Sequence, residues 1–144
     1  MPHSVQIVIA CDDPARMAGF WAGALGYIVQ PPPPGFDTWD DFADTVGIPV
    51  EKRNDISAVV DPDGAGPRIL FERWDGGEPN KRVHIDVQVI ADRELGAEDR
   101  EKRLAEERER LEALGATFHR TASGMAGETW MEMFDVEGNW FCVQ

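Results

Sequence analysis

The stretch Arg82 to Ile90 alternates: Val83, Ile85, Val87 and Val89 are apolar, and His84, Asp86 and Gln88 between them are polar. A period of two marks a strand, so the His84 imidazole and the Asp86 carboxylate project from the same side of it. Both are candidate bases for moving a proton, as are Glu72 and Glu132 in other strand-like stretches. Glu132 shares an alternation face with Trp130. A carboxylate among aromatic rings has a raised proton affinity and serves as general acid or base; on the open side of a strand it does neither. Trp140 shares a face with Cys142 in the same way. With Trp39, these tryptophans are candidates for an aromatic wall that takes a flat or cationic ligand, the alternative being a place in the core.

The elements that must position these residues follow from the rest of the chain. Val5 to Ala10 is a nearly continuous apolar run, which predicts a strand buried on both faces. Asp13 before Pro14 is a helix-start signature. Met17, Phe20, Trp21, Ala24 and Leu25 then step by three and four, and Gly26 is placed to end the helix. Tyr27 to Val29 is a second strand. Pro31 to Pro34 break regular structure, and Phe36 to Gly47 predicts a short helix capped by Asp37 or Thr38. Ser57 to Val60 and Arg68 to Trp74 are two more strands around the Asp61-Pro62-Asp63-Gly64 turn. A charged helix follows from about Ala97 to Leu114, with a narrow stripe of Leu104, Leu111 and Leu114 and an otherwise solvated surface. Ala116 to Arg120, Thr129 to Phe134 and Trp140 to Val143 close the chain as strands, the last following the turn Asp135 to Asn139.

Read this way, the chain repeats itself. Each half runs strand, helix, three strands, and each helix ends in Ala-Leu-Gly, at Ala24 to Gly26 and at Ala113 to Gly115. A duplicated unit of this kind predicts an α+β fold of paired βαβββ modules, about 4–76 and about 80–144, within a single domain. Their sheets curve around a cleft with the helices outside, so the polar side of a strand becomes the inside of a pocket.

Composition narrows the function. The 144 residues carry a formal net charge of −13, which repels phosphate backbones and argues against nucleic acid as partner. The same charge attracts a cationic small molecule. No apolar run approaches the roughly 20 residues of a membrane helix. The stretch from Met1 to Ala10 lacks a basic start and a cleavage site, so a signal peptide is not expected. Cys11 and Cys142 belong to no paired-cysteine motif, which fits free thiols in a reducing cytoplasm. Edge strands of small sheets tend to be covered, which predicts a homodimer.

The segments Asp13-Pro14-Ala15-Arg16, Phe20-Trp21 and Ala24-Leu25-Gly26-Tyr27, together with Gly127-Glu128-Thr129-Trp130, Asp135-Val136-Glu137-Gly138-Asn139 and Phe141-Cys142-Val143, resemble the vicinal oxygen chelate superfamily, the glyoxalase and bleomycin-resistance fold. Val136 stands where proline is usual. The resemblance implies paired βαβββ modules and metal ligands on the first, fourth, fifth and last strands. Those positions hold Gln6, Leu70 or Glu72, His84 and Cys142 here. The implied site is either a modified metal centre using His84, Glu72 and Cys142 for a divalent ion, or a lost one with no cofactor. In the second case His84 is a pocket histidine and Cys142 a small buried residue. Two functions follow. One is a small-molecule-binding protein of the bleomycin-resistance type, with Gln6, Trp39, Asp86, Trp130, Trp140 and Cys142 around the ligand. The other is a lyase or isomerase, metal-dependent or metal-free, using His84, Glu72 and Glu132.

Overall fold

In the computed structural model, which describes residues 2–92 and 94–144, these periodicities become three α-helices and eight strands, an α+β fold. Met1, the first residue of the stretch in which no signal peptide is expected, lies outside the described residues. No helix among the described residues is long and apolar enough to cross a membrane. The chain divides into two compact units. The first strand, β1 (Ser4–Cys11), is shared between them: residues through Ile7 go with Glu78–Gln144, and the rest with Val8–Gly77.

In the N-terminal unit, α1 (Pro14–Leu25) starts where Asp13 Oδ1 accepts the Arg16 N–H at 3.2 Å and ends at Gly26, whose φ of 70° suits glycine. It lies against β3 (Ile56–Val60) and β4 (Arg68–Arg73), where Val59 and Phe71 are fully buried. The short β2 (Ile28–Val29) pairs antiparallel with β3. The second helix, α2 (Trp39–Val46), is shorter than Phe36 to Gly47. Thr38 and Asp41 cap each other reciprocally and set its start, and Gly47 at φ 80° sets its end.

The C-terminal unit holds β5 (Val83–Gln88), α3 (Ala97–Ala113), β6 (Thr117–Ser123), β7 (Thr129–Phe134) and β8 (Trp140–Val143). Its strands lie in the order β5–β8–β7–β6. The β5–β8 pair is parallel, which needs a long connection, and α3, β6 and β7 together supply it. The core gathers Val89, Leu104, Met131, Met133 and Val143, with Leu111, Phe118 and Phe141 packed on it. Of the expected stripe, Leu104 and Leu111 join the core, whereas Leu114, just past α3, is 65% exposed; the side chain of Glu107 is 2% exposed and bonds to Arg103 and Arg110.

β5 holds the more consequential difference. Its polar side is the covered one, with His84 and Asp86 each 6% exposed, while Val83 and Ile85 are 61% and 49% exposed. The apolar core takes in Val87 and Val89, at and just beyond the end of β5.

Candidate functional site

Two turns position the polar side of β5 and β8. Asp135 Oδ1 accepts the backbone N–H groups of Glu137 and Asn139, each at 2.9 Å, so the carboxylate holds the turn without a proline at Val136. Asn80, in a single 3-10 turn at Pro79–Lys81, donates to the Gly138 carbonyl at 2.7 Å. The start of β5 is thereby tied to the start of β8. Asp86 comes directly opposite Cys142 in the parallel register.

His84, Asp86 and Cys142 point their donor atoms at one place, all within 4.8 Å of one another. The Lys81 carbonyl lies 2.7 Å from His84 Nδ1. A carbonyl can only accept, so Nδ1 carries a proton, and Nε2 faces Asp86 Oδ1 at 3.4 Å. The other Asp86 oxygen accepts from Gln6 Nε2 at 2.7 Å and from Gln144 Nε2 at 3.0 Å. Burial works against a charged ring, but hydrogen bonds with Asp86, Cys142 and the Lys81 carbonyl outweigh it and push the His84 pKa up to about 10. A proton on Nε2 therefore satisfies the trio.

A metal ion also fits. A tetrahedral zinc ion with bonds of about 2.0–2.2 Å holds a nitrogen and an oxygen roughly 3.4 Å apart. That matches the His84 Nε2 to Asp86 Oδ1 separation of 3.4 Å. Imidazole, carboxylate and thiol form a borderline-soft donor set, suited to zinc and unsuited to an ion that wants six oxygens. The Lys81 carbonyl is the outer partner that fixes a ligating histidine. His84, Asp86 and Cys142 would hold such an ion.

Beside the trio lies a second cluster. Glu132, opposite Cys142 on β7, is fully buried. Its carboxylate accepts from Arg120 Nε at 2.5 Å, Lys81 Nζ at 3.1 Å and Trp130 Nε1 at 3.4 Å. Burial raises its proton affinity, but these bonds outweigh burial and hold its pKa below the usual range. This corrects the expectation of a general acid with raised proton affinity: two cations keep Glu132 ionised. Arg120 reaches it because β6 carries a bulge. Phe118 pairs with Met133 and Arg120 with Glu132, so two residues advance on β6 for one on β7. Phe118 therefore enters the core and Arg120 turns to the opposite face. His119 turns with it and packs on Trp140 and Phe134, ring centroids 5.2 and 5.3 Å away. Trp140 is 6% exposed, and its indole Nε1 has no hydrogen-bond partner among the described residues.

The C-terminal unit thus gathers Gln6, His84, Asp86 and Cys142, with Glu132, Trp130 and Trp140 alongside. Trp39 and Glu72 belong to the N-terminal unit. There the Trp39 indole donates to the Gln30 carbonyl at 2.8 Å, and Glu72 is half-buried on β4 with Arg68 and Leu70 on the same side. Among the described residues, the metal-type donors that join His84 are Asp86 and Cys142. Lys81, Arg120 and Gln144 were not singled out from sequence. Only the register brings Arg120 to this face, whereas the signal for Lys81 is its place three residues before His84. An open groove of about 300 Å³ between α3, β6 and β7 is lined by Leu104, Phe118 and Met131 and lies on the core side, away from these groups.

Comparison with known proteins gives one family match: a glyoxalase-like domain model covers residues 6–144. No curated protein matches the chain. Among solved structures it is similar to an NAD-dependent benzaldehyde dehydrogenase from Legionella pneumophila, with TM-score 0.59, 10% identity and 96% of each chain covered. It is also similar to a glyoxalase/bleomycin resistance protein/dioxygenase superfamily member from Vibrio splendidus 12B01, with TM-score 0.51, 14% identity, and 98% of this chain and 97% of that one covered. At such identities the likeness is one of fold.

Proposed function

Because the chain belongs to the glyoxalase-like domain family, within the glyoxalase/bleomycin-resistance superfamily, we propose that it binds a small molecule on the polar and aromatic face of its C-terminal unit. The observation that carries this reading is the convergence of His84, Asp86 and Cys142, each nearly buried, on one place. Burying three such groups is unfavourable compared with an apolar core, so their retention fits a binding role. Trp130 and Trp140 supply apolar surface beside them. Gln6, which stands where the resemblance implies a metal ligand and instead donates to Asp86, favours binding without an ion.

A thermal-shift screen of metabolites and antibiotics tests this, with and without a chelator, on wild type, Trp140→Ala and His84→Ala. Hits should survive the chelator and weaken in both variants. Removing an aromatic wall costs about 1–3 kcal/mol of binding through lost apolar burial. Hits that neither variant weakens would refute the assignment of this face.

The trio's fit to zinc supports a second reading, a lyase or isomerase acting on a small oxygenated substrate. A bound ion would polarise a substrate oxygen and stabilise the negative charge that develops on it. His84, Asp86 and Cys142 would hold it, and Gln6 and Gln144 would orient the Asp86 carboxylate. Glu132, kept ionised by Arg120 and Lys81, would contribute fixed charge more than proton transfer. A stoichiometric divalent ion in purified protein, lost in Cys142→Ala, would move this reading to first place.

A further inference from the structure

The face beside the trio has more hydrogen-bond donors than acceptors. Trp140 is 6% exposed, and its Nε1–H meets no acceptor among the described residues. Unpaired buried donors are rare in native structures, and each calls for a water or a ligand atom. Its surroundings say what kind. The Lys81 ammonium stands 5.3 Å from the centre of the Trp140 ring. It donates to Glu132 Oε1 at 3.1 Å, and an ammonium has three donors. Arg120 places Nε and Nη2 on the same carboxylate, and its side chain is still 58% exposed. Two cations against one carboxylate leave an excess positive charge in a chain whose net charge is −13. What the cluster lacks is an acceptor, and the charge balance favours a negative one.

We infer that this face takes an oxyanion, the carboxylate or phosphate of a small acidic molecule, which accepts from Trp140 Nε1–H and Lys81. Trp130, Phe134 and His119 give its body an aromatic setting. The inference rests on the reading that this face binds a small molecule, and it names the class. It also reverses what whole-chain charge suggests. In salt, charges beyond about 8–10 Å are largely screened, so neighbouring groups decide the sign a ligand meets.

The test follows the indole N–H resonances of the full isotope-labelled chain, with the Trp140 signal identified by its loss in Trp140→Phe. The probes are benzoate, benzamide, benzylammonium and inorganic phosphate; the first three share one ring and differ in charge. Benzoate should move the Trp140 signal saturably. Lys81→Met should weaken that binding about tenfold, the effect of one charged hydrogen bond. Glu132→Gln should strengthen it, because the competing carboxylate is gone; a merely structural Glu132 would give no gain. Phosphate acting where benzoate does not would support the inference and identify phosphate as the group. Benzamide or benzylammonium moving the signal as strongly as benzoate would overturn it and leave small-molecule binding standing. A signal that none of the probes moves would overturn it too. Thermal-shift hits weakened by His84→Ala would then still support the broader reading.

Discussion

Replacing Arg120 with methionine keeps most of the stem and removes the guanidinium, leaving Glu132 to Lys81 and Trp130. The carboxylate side chain is 1% exposed, so it cannot turn to water for a new partner. A hydrogen bond to a charged group contributes about 1.5–3 kcal/mol. Arg120 is 58% exposed, so solvent screens the pair and the lower end applies. The second contact, at 3.4 Å, adds little. The expected cost is about 1–2 kcal/mol at neutral pH, which for a chain of this length lowers Tm by roughly 3–7 °C. The pH dependence gives a sharper check. The folded pKa of Glu132 is depressed, so its stabilisation is present above the unfolded carboxylate pKa and lost as pH falls through the folded value. The gap between wild type and Arg120→Met should therefore close on acidification. Urea unfolding at pH 7 and at successively lower pH, with unchanged m-value, measures it. A neutral substitution at pH 7, or a gap that stays constant once Glu132 is protonated, would refute the reasoning.

Glu107 lies on α3 with its pKa held below the usual range, chiefly by the Arg110 hydrogen bond. Glu107→Gln should cost about 1–2 kcal/mol above the ordinary carboxylate range and progressively less below it, read by the same urea series. The exposed Val5, Val83 and Ile85 would supply apolar surface for the expected second copy of the chain. Sedimentation at micromolar concentration should show a dimer that Ile85→Lys weakens, and a wild-type monomer would reject this.

Much of the fold was legible because local signals agreed with tertiary packing. Asp13, Pro14 and Gly26 bound α1 as their cap and turn chemistry requires. The Asp135 to Asn139 turn keeps its role with Val136 in place of proline, because the Asp135 carboxylate does the work. β7 and β8 span the predicted residues, and α3 differs from its expected range by one residue.

The site was legible only in part. Alternation alone placed His84 with Asp86, Trp130 with Glu132, and Trp140 with Cys142, because residues two apart on a strand share a side. It could not say which side would be covered. That depended on long-range packing, and the structure leaves Val83 and Ile85 exposed while His84 and Asp86 are buried. Nor could it give Glu132 its charge state, since aromatic neighbours are local in sequence and the two cations are not. Lys81 arrives through the turn tied by Asn80 to Gly138, fifty-eight residues away. Arg120 arrives through a bulge that breaks the period of two within β6 and turns His119 and Arg120 toward Glu132 and Trp140. The sequence by itself determined which residues share a strand face, because that is set by backbone geometry at short range. The chemistry of the face was decided by register and by long-range partners, because a carboxylate's charge depends on what stands within a few ångströms of it in space.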